Sequence, residues 1–123
     1  MALVVGLAAL ALLGGSDRAA ATPNVVLLAP IADVPSPTFV TAPPGDSHRL
    51  FVVQQTGQIA LIKDNVLQGV PFMTVPNVLY DGNERGLFSL AFAPDYATSG
   101  LFYVYYTFDP TGDIQVDEFH RDA

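Results

Sequence analysis

The sequence predicts an all-β fold, and three observations carry that expectation. Ten glycines and ten prolines punctuate a chain of only 123 residues, which points to many turns. Short apolar runs rich in Val, Ile, Phe and Tyr lie between those turns. No stretch beyond residue 22 repeats its apolar residues at a helical period. Half of the residues are hydrophobic and 14% are charged, which excludes an acidic disordered tail. Five Lys and Arg scattered among twelve acids, for a net charge of -7, exclude a basic nucleic-acid surface. The absence of cysteine excludes a disulfide scaffold and a thiolate metal site.

Ala2 to Leu13 is an unbroken run of Ala, Leu, Val and Gly, too short for a bilayer-spanning helix, which needs about 20 residues. Ala19 and Ala21 then stand where a signal-peptide cleavage site requires small residues. Residues 1–21 therefore read as a secretory signal, and 22–123 as the mature chain, secreted or periplasmic, with no stable membrane span. No Lys or Arg precedes the apolar run, the one departure from that pattern. A buried N-terminal helix is the other reading, disfavoured by Gly6, Gly14 and Gly15.

Asn24 to Ala32 is Val- and Leu-rich and interrupted by Pro30, which allows an edge strand. Thr38–Thr41 is a short strand closed by Pro43-Pro44-Gly45-Asp46. Leu50–Gln55 and Gln58–Lys63 flank Thr56-Gly57 and read as a hairpin. Asp64-Asn65 is a turn, and Pro71 to Val75 a weaker strand. The polar loop Asp81–Gly86 leads into a strand at Leu87–Ala93. A turn from Pro94 to Gly100 precedes the strand Leu101–Thr107, and Phe108–Gly112 turns the chain into a last strand, Asp113–His120. The runs at 50–53 and 101–106 are apolar or aromatic at every position, so both of their faces are expected to be covered.

An internal repeat organises these strands. Ala42-Pro43 recurs as Ala93-Pro94, and Leu50-Phe51 as Leu101-Phe102, both 51 residues on. Thr56-Gly57 recurs as Thr111-Gly112 after 55, which fits a longer hairpin turn. A four-stranded unit repeating at about 50 residues is the pattern of β-propeller blades. Propellers close with about four to eight blades, whereas this chain holds about one and three-quarters, so the expectation is an N-terminal fragment of a longer protein.

Leu50-Phe51-Val52-Val53-Gln54-Gln55-Thr56-Gly57-Gln58-Ile59, Glu84-Arg85-Gly86-Leu87-Phe88-Ser89-Leu90-Ala91-Phe92-Ala93-Pro94-Asp95-Tyr96 and Gly100–Thr107 together resemble the glucose/sorbosone dehydrogenase family over about residues 25–120. Ala93, where the family often has His, departs from that pattern at a strand end. The resemblance implies a six-bladed propeller, pyrroloquinoline quinone (PQQ) near the central axis, calcium, a sugar substrate and an electron acceptor. It also implies a catalytic histidine beyond the matched portion. Neither His48 nor His120 matches that residue, so no catalytic residue is assigned and the isolated chain is expected to be inactive. The other reading is a non-catalytic binding propeller of the same superfamily, like the domain in hedgehog-interacting proteins.

In a four-stranded meander, the loop after the second strand and the loop into the next blade lie on one rim. Gln55, Asn83, Glu84 and Arg85 are thereby the candidate cofactor-binding residues. Glu84 matches a position where soluble quinoprotein dehydrogenases place a Gln near the cofactor. Two roles stay open for it: facing the cofactor, or pairing with Arg85 to pin the loop. Asp81, Asn83 and Glu84, or Asp109, Thr111 and Asp113, offer oxygen ligands suited to calcium, yet neither set fits a complete calcium loop and such residues are ordinary in turns. Tyr103, Tyr105 and Tyr106 read as inter-blade core rather than a sugar-stacking stripe.

Overall fold

A computed structural model describes residues 25–122; the expected signal segment lies outside the described residues. Two antiparallel sheets pack face to face. In the first, β1 (Pro37–Thr41), β2 (Arg49–Gln54), β3 (Gln58–Lys63) and β4 (Val66–Leu67) lie in that order, and β5 (Met73–Thr74) also pairs with β3. In the second, β6 (Leu87–Phe92), β7 (Leu101–Thr107) and β8 (Ile114–His120) lie in order. Both expected hairpins form: Val53 pairs with Ile59 across the first, and Thr107 with Ile114 across the second. The one helix among the described residues is a single turn, α1 (Tyr96–Ser99), ended by Gly100 at φ +68°. No described helix is long and apolar enough to cross a membrane.

Three local expectations are corrected. Val25–Ala32 forms no strand, and Val25 to Leu28 are exposed. Pro30 removes a donor inside this stretch and Pro35 another just beyond it, and Ala32 with the following Val34 instead packs against Val52, Ala60 and Ile62 on the back of the first sheet. The outer strand of that sheet is split into β4 and β5 instead of running from Pro71 to Val75. Pro71 and Gly69 lie in the gap, where one has no N–H to give and the other weakens a strand. Finally, 50–53 is covered but 101–106 is not. Phe102, Val104 and Tyr106 are buried against the first sheet, whereas Tyr105 on the opposite face is 38% exposed.

The repeat is real, but its spacing differs from the dipeptide matches. Each sheet carries a bulge near the start of its first strand, at Pro37/Phe39 and at Leu87/Ser89. The pairings Phe39↔Val53, Val40↔Val52 and Thr41↔Phe51 recur as Ser89↔Tyr105, Leu90↔Val104 and Ala91↔Tyr103. The first strands are thus 50 residues apart and the second strands 52, not 51. A one-residue slip exchanges the two faces of a strand. Phe51 therefore corresponds to Tyr103 rather than Phe102. In the third strands Val53↔Ile59 recurs as Tyr105↔Val116.

The core lies between the sheets. Phe51, Val53 and Ile59 from the first meet Leu90, Phe102, Val104 and Tyr106 from the second. Phe51 stands edge-on to Phe72 and Phe92, with ring centres 4.8 and 4.9 Å apart, a favoured aromatic geometry. The innermost strands are joined by Thr38, whose Oγ1 donates to the Leu87 carbonyl at 2.9 Å.

Candidate functional site

The direction of the strands sorts the loops onto two rims. One rim carries the β2–β3 turn, the segment from Val75 to Gly86, and the β7–β8 turn. The other carries Ala42–His48, the α1 turn and the end of β8. Both histidines sit on the second rim. His48 Nδ1 lies 2.7 Å from Asp64 Oδ1 in an exposed pair, and His120 ends β8. Asp46 anchors the same rim. Partial burial pushes its carboxyl up, but hydrogen bonds from the His48 N–H, the Arg49 side chain and the Arg49 N–H, with the Arg49 charge, hold it below the usual carboxylate range.

On the first rim the two expected loops do converge. Gln55 Nε2 donates to the carbonyls of Asn83 at 2.6 Å and Arg85 at 3.1 Å. The Gln55 carbonyl accepts the Leu87 N–H at 3.0 Å. The approach is so close that a Cβ on Gly86 would lie 2.3 Å from the Gln55 carbonyl oxygen, and Gly86 takes φ +147°. Only glycine fits there. From the other side, the Thr107 N–H donates to the Gly86 carbonyl at 2.9 Å, and Thr107 itself is buried. The approach to the loop is pinned too: the Leu79 N–H donates to the Thr107 carbonyl at 2.8 Å, and the Asp109 N–H to the Asn77 carbonyl at 2.8 Å. One rigid strap thus crosses the turns of both sheets.

Within the strap the four predicted residues have different settings. Gln55 is spent on loop carbonyls and acts as a clamp. Asn83 gives its N–H to Asp81 Oδ1 at 3.0 Å, an ordinary turn bond. Arg85 lies 3.6 Å from Asp81 Oδ2, with its guanidinium over the Gly112 turn. The expected alternative pair of Glu84 with Arg85 does not form, because the i,i+4 carboxylate of Asp81 is the one the guanidinium meets. Glu84 is exposed and, among the described residues, has no ion-pair or side-chain hydrogen-bond partner. Asp109, Thr111 and Asp113 lie in or beside the neighbouring turn, where Thr111 Oγ1 accepts the Asp113 N–H at 3.3 Å. Among the described residues no three His, Cys, Asp or Glu gather as a metal cluster.

Thr38 and Thr107, which tie the strap to the strands, were not anticipated as site supports. The available signal was a threonine at the end of an otherwise apolar or aromatic strand. Of the three tyrosines read as core, Tyr106 alone is fully buried, and its OH donates to Asp117 Oδ2 at 2.7 Å. Burial, together with that hydrogen bond and the negative charge of Asp117, pushes the Tyr106 phenol up to about 12. Tyr103 and Tyr105 face outward from the second sheet, in the positions that Phe51 and Val53 hold in the first.

Comparison with known proteins fits this architecture. The chain is 36% identical over 66 residues to Hedgehog-interacting protein from Mus musculus and 33% identical over 66 residues to that from Homo sapiens. Each match covers 50% of this chain but 9% of the relative. The fold matches the PQQ-bound aldose sugar dehydrogenase from Streptomyces coelicolor with a TM-score of 0.61 and 25% identity. That match covers 73% of this chain and 26% of the dehydrogenase. The sequence pattern described as Glucose / Sorbosone dehydrogenase matches residues 36–119, which takes in every strand but the last residue of β8. With the paired sheets and the strap both inside that span, the chain belongs to the glucose/sorbosone dehydrogenase family.

Proposed function

We propose that this chain supplies about one and three-quarter blades and part of the ligand-facing rim of a secreted or periplasmic propeller that oxidises a sugar, with hydride passing to PQQ. The observation that carries the reading is the strap over residues 81–86. It holds Glu84 in the open on the rim beside the innermost strand, with its carboxylate uncommitted, on a backbone fixed from both sides. Pre-set polar groups on a rigid loop are what orientation of a cofactor requires.

The described residues do not fit PQQ by themselves. The cofactor carries carboxylates beside its quinone carbonyls, and this rim offers a single guanidinium, Arg85, already 3.6 Å from Asp81. Asp81, Glu84, Asp109 and Asp113 give the same rim four carboxylates. Further positive charge must come from calcium or from other blades. Calcium, the sugar and the electron acceptor rest on family resemblance. The second reading, a binding propeller without catalysis, is favoured by the likeness to Hedgehog-interacting protein.

A chimera separates the two. The segment of the Streptomyces coelicolor dehydrogenase that corresponds to this chain is replaced by residues 25–122, and PQQ binding and dye-linked sugar oxidation are measured. Retained binding and turnover support the enzyme reading. A folded chimera that binds no PQQ refutes it and favours the binding module. In a binding-competent chimera, Glu84→Gln is expected to alter PQQ affinity while the melting temperature without PQQ stays unchanged.

A further inference from the structure

Asp81-Gly82 is the one step in the sequence at which glycine follows an aspartate or asparagine. It lies in the exposed first half of the strap. Asp81 Oδ1 accepts the Asn83 N–H at 3.0 Å, so the side chain is folded forward over the peptide that joins 81 to 82. Its carboxyl carbon and the Gly82 nitrogen are thereby brought to one side of the chain. Among the described residues no acceptor takes the Gly82 N–H. Gly82 has no Cβ to crowd its nitrogen, and the place where a Cβ would stand has no atom within 4 Å.

From this geometry we infer that Asp81-Gly82 is a site of spontaneous covalent rearrangement, which converts Asp81 through a succinimide to isoaspartate. The Gly82 nitrogen attacks Asp81 Cγ, the new N–Cγ bond closes a five-membered ring, and the carboxyl hydroxyl leaves with the nitrogen's proton as water. Water then adds to one of the two ring carbonyls. Addition at Cγ breaks the N–Cγ bond and restores Asp81. Addition at the main-chain carbonyl carbon of Asp81 breaks its bond to the Gly82 nitrogen instead. The main chain then runs through Cβ and Cγ, and the carboxylate sits directly on Cα. One water leaves and one returns, so the change needs no oxidant, cofactor or partner.

Other aspartates lack this combination. Asp46 makes the same forward bond, to the His48 N–H at 2.9 Å, but Ser47 carries a Cβ and Arg49 holds the second carboxylate oxygen. Asp64 is followed by Asn65, and its carboxylate faces His48. Pro110 after Asp109 has no N–H to give. At Asp81 the rearrangement shortens the arm of the carboxylate by one carbon and lengthens the main chain by one. The carboxylate leaves the Asn83 N–H and the Arg85 guanidinium, while Gln55 still grips the carbonyls of Asn83 and Arg85. The strap is loosened at its entry and held at its exit.

The test ages the purified, folded chain in mildly acidic buffer at physiological temperature, with circular dichroism confirming that the strands persist. Tryptic cleavage after Lys63 and Arg85 then releases residues 64–85. Isoaspartate is read by an isoaspartyl methyltransferase with a labelled methyl donor and placed by fragmentation. It should accumulate at 81 ahead of 46 and 64, with a minor form of the same peptide lighter by one water. Gly82→Ala, aged alongside and still folded, should lose most of the conversion. In the converted wild-type chain, hydrogen exchange of the Asn83 amide should rise. A folded chain that stays unconverted while the isolated 64–85 peptide converts overturns the inference, because the fold then protects the site. So does absence of conversion in both, equal conversion at 46 or 64, or undiminished conversion in Gly82→Ala.

Discussion

The junction of Gly86 with Gln55 makes the most demanding prediction. A methyl added as Gly86→Ala would sit 2.3 Å from the Gln55 carbonyl oxygen, 2.6 Å from its Cγ and 3.1 Å from its carbonyl carbon. The nearest atom is backbone, so rotating a side chain cannot relieve the clash. Alanine at φ +147° adds strain of about 1–3 kcal/mol. Parting the chains also breaks the Leu87–Gln55 hydrogen bond, and a buried group left unpaired costs about 1–3 kcal/mol. The total of about 2–6 kcal/mol is a large share of the 5–15 kcal/mol typical of a folded domain. Gly82→Ala is the control: it has φ +79° and nothing within 4 Å, so only about 1–2 kcal/mol of backbone strain applies. Urea unfolding followed by circular dichroism measures both. With a slope of about 1–2 kcal/mol per molar, the Gly86→Ala midpoint should fall by at least about 1 M. Equal midpoints for the two variants, within about 0.3 M at that slope, would refute the close approach as the reason for glycine.

Three further outcomes follow from the bonds described. Gln55→Glu places a carboxylate against two carbonyls and should speed hydrogen exchange of the amides at 86 and 87, whereas unchanged exchange would show that the side chain is not the clamp. Tyr106→Phe should cost about 1–3 kcal/mol by leaving Asp117 without its donor. Because the folded phenol titrates at about 12, above the usual 10.0, its contribution is whole below pH 10 and is lost as pH rises toward 12, a step the phenylalanine variant should lack in alkaline unfolding curves. Asp46 is shifted the other way, below 3.8, so its contribution is present above that pH and disappears as pH falls through the folded value. Asp46→Asn should remove that acid-sensitive part and cost about 1 kcal/mol at neutral pH, measured as stability between pH 2 and 6.

Strand identity was legible because apolar and aromatic residues cluster between turn residues whose chemistry is local. Thr56-Gly57 announces the first hairpin whatever surrounds it. The extended reading of 25–32 failed for the opposite reason: its Val and Leu residues suit a strand, but no sheet edge takes them, and Pro30 within the stretch has no N–H to give a ladder. The same limit applies to the rim. The sequence places Asn83, Glu84 and Arg85 near the turn that holds Gln55, since topology alone decides which loops share a rim. Which carboxylate meets Arg85 depends on how the loop turns, and that turn is set by distant partners: Gln55 from one hairpin and Thr107 from the other.

The repeat shows most sharply where a linear reading misleads. Ala42-Pro43 and Leu50-Phe51 match their later copies at 51 residues, yet the hydrogen-bond ladders match at 50 and 52. The loop between the first two strands of the second sheet is two residues longer, and α1 takes up that length. Dipeptides lying in and beside such a loop average the two offsets and so agree with neither. The error is small in position but complete in consequence, because a strand shifted by one residue exchanges its faces. At 51, Phe102 stands for Phe51 and both face the core, and the second sheet looks finished. At 52, Tyr103 and Tyr105 stand for Phe51 and Val53, and the second sheet exposes the side that the first sheet buries. The bulges at Pro37/Phe39 and Leu87/Ser89 decide between the offsets, since they mark the same point in both ladders. That choice makes the two outward tyrosines the counterparts of Phe51 and Val53, the residues through which the first sheet meets the second.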